Sequence, residues 1–282
     1  MTITSIFDRL AVCSWSLQAR EPNDLVEKVL ATGVPRIQLA LDPLRMAPEA
    51  WASTAVELRQ NRIAIISGMF ACVGEDYSTL ESIRATGGIA PDETWPQNLE
   101  NIGATASLAE SLGLKLVTFH AGFLPHDPRA PEFGKMVKRL QTAADIFAAR
   151  SIQVGLETGQ ENAADLAAIL RQVDRPNLGV NFDPANIVLY GRGDSIGALR
   201  VLAPWIRQVH IKDAISTVKA GTWGEEVVVG TGTVDWTMFF RVLEESNFAG
   251  HAAIEREAGT NRVGDIRTAR IYIEKLLNAG NV

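Results

Sequence analysis

The chain of 282 residues is poor in cysteine and has no long apolar run. Its two cysteines, Cys13 and Cys72, each lie in an apolar stretch, which favours two buried free thiols over a disulfide. No apolar stretch is long enough to cross a membrane. The N-terminus, with Asp8 and Arg9, has no apolar signal segment. These absences predict a cytoplasmic protein with no membrane partner.

The chain also has no excess of positive charge. Lysine and arginine number 27 against 33 aspartates and glutamates, for a net charge of −6. Such a chain has no global positive field to attract nucleic acid, so we predict no nucleic-acid partner. A local basic pocket remains compatible with this balance. The hydrophobic content of 46% is enough for a large core.

Apolar runs alternate with amphipathic stretches along the whole chain, a pattern typical of repeated strand–helix units around a parallel sheet. The predicted strands are 11–16, 36–41, 63–69, 115–120, 152–157, 178–183, 206–212 and 252–255. The predicted helices are 23–32, 48–60, 98–112, 132–150, 163–173, 195–202, 235–246 and 265–278. Eight such pairs are the number at which parallel strands close into a ring. We therefore predict a single (β/α)8 TIM barrel domain over residues 1–282.

An open doubly wound sheet is the alternative fold. It would normally carry a glycine-rich phosphate fingerprint after its first strand. The turn at that point reads Ser14-Trp15-Ser16-Leu17 and contains no glycine, which favours the barrel. The stretch 70–96 is long and irregular for a compact domain, so it is predicted to be a lid or binding loop or else a structural excursion, and 78–84 within it could form a short helix. The stretch 214–233 is predicted to be a loop with short strands, and both stretches could decide between reactions at the site.

Four predicted strands end in a side chain that commonly binds metals: Glu157, Asp183, His210 and Glu255. A barrel places its active site at these carboxyl ends. Three carboxylates buried together would repel one another, and one imidazole cannot neutralise them. One divalent cation resolves this conflict. Taken singly, each residue could instead be a helix cap, a salt-bridge partner or a core histidine.

Oxygen ligands dominate this set and thiolates are absent from it. Three carboxylates and one imidazole suit Mn²⁺, Mg²⁺, Co²⁺ or Zn²⁺. We favour Mn²⁺ as the cofactor.

The sequence resembles the xylose-isomerase-like TIM barrel superfamily. Within this superfamily it resembles the sugar phosphate isomerase/epimerase family, which includes ketose 3-epimerases. The resemblance covers nearly the whole chain and is weak on substrate identity. Its matching segments are Gly155-Leu156-Glu157-Thr158, Asn181-Phe182-Asp183-Pro184-Ala185-Asn186, His210-Ile211-Lys212-Asp213, Gly230-Thr231-Gly232-Thr233-Val234-Asp235-Trp236 and Ile254-Glu255-Arg256.

The resemblance implies a metal-dependent sugar isomerase or epimerase. In relatives that epimerise ketoses, the positions matching the four predicted ligands bind the metal. The positions matching Glu157 and Glu255 also act as acid and base. By analogy, one glutamate would remove a proton next to a carbonyl to give a metal-bound enediolate, and the other would return a proton. The resemblance does not say which glutamate is the base.

The substrate is expected to be a small sugar or keto-sugar. The resemblance places His120 near it, because relatives hold a histidine at the matching position. Lys212 faces inward and could bind a substrate oxygen or a carboxylate. Trp15 could stack on a sugar face or simply pack. Gln38 and Arg256 complete the predicted substrate-binding residues.

Three other functions are compatible with the same fold. A metal-dependent lyase or dehydratase acting on a keto-sugar, keto-glycoside or keto-cyclitol would share the same ligands. The second alternative is a carbohydrate-binding protein without catalytic activity. The superfamily also contains an endonuclease, but Asn186 stands where its motif would place a histidine ligand. A homo-oligomer is possible.

Overall fold

A computed structural model describes residues 5–159, 161–219 and 221–279. These residues form ten strands. The strands are β1 (Leu10–Cys13), β2 (Arg36–Ala40), β3 (Ala64–Met69), β4 (Leu116–Phe119), β5 (Gln153–Glu157), β6 (Leu178–Phe182), β7 (Ile206–Ile211), β8 (Asp213–Ile215), β9 (Glu225–Val227) and β10 (Ala252–Ile254). Strands β1 to β7 and β10 pair in parallel as a closed barrel, in which β10 lies between β7 and β1. The predicted (β/α)8 barrel is therefore confirmed.

Helices connect the barrel strands. They are α1 (Pro22–Thr32), α2 (Asp42–Met46), α3 (Thr54–Gln60), α4 (Leu80–Thr86), α5 (Trp95–Ser111), α6 (Pro131–Ala148), α7 (Ala163–Val173), α8 (Pro184–Leu189), α9 (Ser195–Leu202), α10 (Trp236–Glu245) and α11 (Arg262–Asn278). The predicted bounds of α7 and α9 are confirmed, and the Asp194 side chain caps α9. Gly33 ends α1 at φ +75°, a left-handed conformation that glycine adopts without steric cost.

Two predicted elements differ from the structure, and one helix of the structure was not predicted. The first strand ends at Cys13, and a turn of 3-10 helix over Ser14–Leu17 follows it. The predicted helix 48–60 is shorter, because α2 and α3 are separated by turns. Helix α8 was not predicted. Asp183 caps it and Pro184 opens it, so the helix begins directly where β6 ends.

The apolar core lies between the strands and the surrounding helices, and contains Val154, Leu156, Val180 and Phe182. The inside of the barrel differs in character. It holds small apolar side chains of Ala11, Cys13 and Ala253. Fully buried polar side chains occupy the rest: Gln38, Ser67, Thr118, Asn181, Gln208 and His210. This polar interior supports the side chains at the barrel mouth.

The long loops contain structure of their own. Helix α4 lies within the predicted loop 70–96, and β8 and β9 form an antiparallel hairpin after β7. Cys13 and Cys72 are buried and unpaired. None of the helices within the described residues combines the length and apolarity that a bilayer span requires. The single-domain prediction over 1–282 includes both termini, where residues 1–4 and 280–282 lie outside the described ranges.

Candidate metal centre

The four side chains predicted as ligands meet at one point of the barrel mouth. One ligand atom from each of Glu157, Asp183, His210 and Glu255 lies within 4.8 Å of the other three, and all four residues are buried. His210 Nδ1 is 3.4 Å from Glu157 Oε1 and 3.4 Å from Glu255 Oε2. It is 3.7 Å from Asp183 Oδ2. Four separate strands thus deliver their side chains to one centre.

Two buried atoms at this centre have unused bonding capacity. Asp183 Oδ2 and His210 Nδ1 form no hydrogen bond with any residue that the structure describes. Buried polar atoms are normally satisfied, and atoms left without partners need an explanation. Oxygen from carboxylates and nitrogen from imidazole are both ligands of divalent cations. The residues present therefore fit a metal ion.

The electrostatics of the cluster favour a bound cation. Burial would lower the pKa of His210, but the carboxylates, Glu157 foremost, raise it well above its usual value. Burial raises the pKa of Asp183 even though the Lys212 ammonium opposes the shift. Burial acts in the same direction on Glu255, yet Lys212 and His210 outweigh it and hold the pKa of Glu255 well below its usual range. The raised pKa of His210 shows that the surrounding carboxylates favour positive charge at this position.

The second nitrogen of His210 is held from inside the barrel. His210 Nε2 lies 2.9 Å from Gln38 Oε1, which can only accept a hydrogen bond. Asn181 Nδ2, which is a donor, lies 3.0 Å from the same nitrogen. With a metal ion bound, the tautomer that carries its proton on Nε2 would donate to Gln38 and present the Nδ1 lone pair to the ion. Gln38 is itself held because its Nε2 donates to Thr118 Oγ1 at 2.8 Å. Such an outer partner fixes the orientation of a metal-binding histidine.

The two glutamates have different neighbours. Glu157 accepts hydrogen bonds from two amides, Asn186 Nδ2 at 3.1 Å and Asn181 Nδ2 at 3.2 Å. Glu255 accepts from Trp15 Nε1 at 2.6 Å and from the charged Lys212 Nζ at 2.9 Å. The carboxylate beside an ammonium is more strongly held in its ionised form than the one beside neutral amides.

A pocket of about 420 Å³ opens above the cluster. Its wall comes from the ends of the barrel strands and from the two long predicted loops. The loop after β3 contributes Phe70, Ala71, Glu75 and Tyr77, and the β8–β9 hairpin region contributes Trp223 and Glu226. The pocket lies within the size range of small-molecule sites, roughly 300–1,000 Å³.

Three of the predicted substrate-binding residues line this pocket: Trp15, His120 and Lys212. His120 Nε2 lies 3.6 Å from Glu157 Oε1, and the His120 ring is beside that of Tyr77. Lys212 is also bonded to Glu257 Oε2 at 2.7 Å.

Gln38 and Arg256 have other partners than the predicted substrate. Gln38 is fully buried below the cluster, where it orients His210. The Arg256 guanidinium donates to Glu226 and Asp265, each at 2.9 Å. Arg256 points away from Glu255 because successive side chains alternate at a strand end.

Several lining residues were not singled out from the sequence: Glu75, Tyr77, Tyr190, Trp223, Glu226 and Glu257. Glu257 could have been predicted from the sequence, because it lies two positions after Glu255 and therefore on the same face. Glu75 is placed by the loop fold, in which the Gly88 N–H donates to its Oε1 at 2.9 Å. Gly88 has φ +64°, and a Cβ there would lie 2.0 Å from the Ala121 carbonyl carbon. Only glycine permits that approach.

The Asp213 carboxylate joins two of the segments that carry the family resemblance, the one that ends at Asp213 and the one over 230–236. Its carboxylate accepts hydrogen bonds from the backbone N–H groups of Gly230 and Gly232, at 2.9 and 3.1 Å. It also accepts from Trp236 Nε1 at 3.0 Å. A buried carboxylate bonded to several donors fixes a loop firmly. Asp213 thus ties the return of the hairpin to the end of β7, beside Lys212.

Comparison with known proteins agrees with this architecture. The sequence profile described as xylose isomerase-like TIM barrel matches residues 26–276. The chain belongs to the xylose isomerase-like TIM barrel family. The xylose isomerase domain protein of Planctomyces limnophilus, a solved structure, is 30% identical to this family member. The two superpose with a TM-score of 0.81 over 90% of this chain and 91% of the other.

Two curated relatives in the family match over shorter lengths. The inosose dehydratase of Clostridium tetani (strain Massachusetts / E88) is 26% identical over 133 residues, 42% of this chain and 44% of that protein. The putative hydroxypyruvate isomerase of Mus musculus is 25% identical over 191 residues, 62% of this chain and 66% of that protein. The chain thus spans less than half of the first relative and just under two thirds of the second.

Proposed function

We propose that this protein is a divalent-metal-dependent isomerase or epimerase of a small sugar or keto-sugar. The observation that carries the proposal is the placement of Glu157 and Glu255, each 3.4 Å from His210 Nδ1, at the base of one pocket. Two carboxylates beside one cation-binding point are suited to remove and return a proton on a bound substrate. The name of the Mus musculus relative is consistent with an isomerase.

Glu157, Asp183, His210 and Glu255 would hold the ion, for which Mn²⁺ is our first choice because three of the four ligands are carboxylates. When bound, a divalent ion here supplies Lewis-acid polarisation of a substrate carbonyl, which acidifies the neighbouring C–H bond. Gln38 keeps the His210 lone pair directed at this point.

Glu157 and Glu255 would divide the proton transfers. One carboxylate takes the proton from carbon, and the other donates a proton to the opposite face of the same carbon or to its neighbour. Burial raises the pKa of both carboxyls, but His210 and His120 bring that of Glu157 below its usual value, and Lys212 and His210 bring that of Glu255 well below it. Both carboxylates are therefore held ionised and either can accept a proton. We propose that the base is the one that the C–H bond of the bound substrate faces.

Trp15 and His120 would contact the substrate from the pocket wall, where Lys212 holds Glu255 and Glu257 by hydrogen bonds. The His120 Nε2 is a candidate donor to a substrate hydroxyl, since its nearest carboxylate oxygen is 3.6 Å away. Gln38 and Arg256 would act on other residues. Gln38 positions His210, and Arg256 supports Glu226.

A lyase or dehydratase is the second candidate, and the name of the Clostridium tetani relative favours it. The same carboxylate would remove the proton, after which a hydroxyl or other group leaves from the next carbon. His120 lies beside Glu157 at the pocket wall and could protonate that leaving group. The two candidates differ in whether the product keeps the mass of the substrate.

The deciding experiment uses Mn²⁺-loaded protein with a panel of ketoses, keto-glycosides and keto-cyclitols in deuterated water. We expect an isomer of the substrate that carries one solvent deuterium on carbon and is heavier than the substrate only by that exchange. A product lighter by the mass of water would instead assign the lyase. If no compound that binds the protein undergoes exchange or conversion, the protein is a binding protein and the proposal fails.

Two further points belong to the proposal. We propose a cytoplasmic location, which cell fractionation tests. A homo-oligomer is also proposed, and light scattering of the purified protein measures it. We expect no nucleic-acid partner, because acidic side chains surround the pocket.

A further inference from the structure

The charges around the pocket are unbalanced. The acidic side chains on its wall are Asp42, Glu75, Glu226, Glu255 and Glu257. Among the described residues, the basic side chains on the same wall are Lys212 and His120. An anionic substrate would need a cation beyond the candidate metal to offset this wall.

Lys212 does not supply that cation. Its ammonium group is buried and donates to Glu255 Oε2 at 2.9 Å, Glu257 Oε2 at 2.7 Å and Asn186 Oδ1 at 3.3 Å. An ammonium group has three donor hydrogens. All three are used within the protein, so a phosphate or carboxylate would have to displace a glutamate to reach them.

The other place where a barrel could bind an anion is also filled. TIM barrels frequently bind phosphate in the loops that follow their seventh and eighth strands. Here the Glu226 carboxylate of the hairpin after β7 accepts from the Glu257 N–H at 2.9 Å and the Ala258 N–H at 3.1 Å. The Arg256 guanidinium donates to it at 2.9 Å. Two backbone amides and a guanidinium are a typical set of phosphate donors.

The remaining wall suits an uncharged, partly apolar ligand. Trp15, Tyr77, Tyr190 and Trp223 line the pocket, and the Tyr190 and Trp223 ring centroids are 4.7 Å apart. Such rings offer apolar faces with polar edges. Sugars have the same division between C–H faces and hydroxyl edges.

We infer that the site accepts uncharged carbohydrates and excludes phosphorylated or carboxylated ones, with Glu226 occupying from within the protein the position that a substrate anion would take. This inference rests on the proposed function, whose site it describes. The substrate class is then a neutral ketose, keto-glycoside or keto-cyclitol. Glu226 is a specificity-determining residue, because it accepts the hydrogen bonds that the loop after β10 could otherwise donate to a substrate anion.

The decisive test measures binding of inorganic phosphate to Mg²⁺-loaded protein by ³¹P NMR titration. Wild type should bind phosphate weakly. Glu226→Ala should bind it at least about tenfold more tightly, since two amides and Arg256 lose their partner. Glu225→Ala is the matched control, because Glu225 is exposed on the same strand and its loss changes the net charge equally. Glu226→Gln keeps the shape of the loop and should show a smaller gain.

Wild-type phosphate affinity equal to that of Glu226→Ala, or an equal gain in Glu225→Ala, would overturn the inference. A second arm takes any ketose that exchanges solvent deuterium and compares it with its phosphate ester. The ester should lose at least about tenfold in kcat/KM, and an ester that reacts as well contradicts the inference. Absence of exchange with every sugar would refute the proposed function alone, because the phosphate titration does not depend on catalysis.

Discussion

The Gln38 carboxamide oxygen lies 2.9 Å from His210 Nε2, on the side of the imidazole opposite the three carboxylates. The Gln38 oxygen can accept only from the tautomer that carries its proton on Nε2, which is the one that leaves Nδ1 available as a ligand. We predict that Gln38→Met, which removes this acceptor at similar volume, weakens Mn²⁺ binding by about 10–100-fold. Calorimetric titration of chelated and reloaded protein measures the affinity.

The matched control is Ser67→Ala. Ser67 donates to Gln208 Oε1 at 2.6 Å within the same buried polar interior, and no hydrogen bond joins it to His210 in the described part of the chain. Its replacement should leave metal affinity within a few-fold of wild type. If both variants lose affinity equally, the effect belongs to the barrel interior in general and not to the orientation of His210.

Glu157→Gln and Glu255→Gln should each lower turnover by about 10²–10⁴-fold, the usual contribution of a positioned acid or base. Because both residues also face the candidate metal centre, bound Mn²⁺ should be quantified in the same samples. Turnover lost with metal retained identifies the acid–base role. Glu225→Gln, an exposed glutamate on β9, should keep the wild-type rate. Near-normal turnover in either active-site variant would remove that residue from the proposed mechanism.

The two carboxylate oxygens of Asp183 have different roles, so a variant can test metal binding apart from helix capping. Its Oδ1 accepts from the Ala185 and Asn186 N–H groups, whereas Oδ2 faces the candidate metal centre. Asp183→Asn keeps a capping oxygen and loses the charge. Mn²⁺ at about 100 times its Kd should stabilise wild type by about 2.7 kcal/mol. Most of this increment should be lost in the variant.

Asp194→Asn is the control, because Asp194 also caps a helix, α9, outside the pocket, where its two oxygens each accept from one N–H. It should retain the full stabilisation by Mn²⁺ in thermal unfolding. Chelation should also abolish activity in wild type, and added Mn²⁺ or Co²⁺ should restore it. Full activity of chelated, metal-free protein contradicts the proposed function.

The sequence identified the four candidate ligands because two simple rules agree on them. Strand periodicity of two gives the face, and the switch from apolar to polar residues gives the strand end. Gln38 is on the inward face of β2. How far it lies from the barrel mouth depends on the stagger between strands, which the sequence of β2 alone does not reveal. Gln38 pairs with Cys13 in register and therefore lies below the mouth.

The positions of other side chains could not be predicted, because they depend on contacts between segments that are distant in the sequence. Arg256 follows an inward-facing Glu255, so alternation already points it outward, whereas its partner Glu226 comes from a hairpin 30 positions earlier. The pocket residues Glu75, Tyr77 and Trp223 lie in loops whose course depends on tertiary contacts such as that of Gly88 with Glu75. Loop composition marked these segments but not their orientation.

Glu161 makes the stability of the folded protein depend on pH in a way that can be measured. Burial raises the pKa of this carboxyl from 4.5 to about 8, even though a backbone hydrogen bond and Arg192 favour the ionised form. The folded protein therefore holds a proton that the unfolded chain releases between these two values. The stabilisation is fully present below the unfolded pKa and is lost as the pH rises through the folded pKa.

We predict that Glu161→Gln, which stays neutral, removes this slope. Between about pH 5.5 and about pH 8.5, the free energy of unfolding of wild type should fall relative to the variant by roughly 3 kcal/mol. Urea unfolding at both pH values measures the difference. Glu244→Gln, at an exposed position of α10, should follow the wild-type slope. Parallel slopes for wild type and Glu161→Gln would mean that this carboxyl ionises in the folded protein without cost.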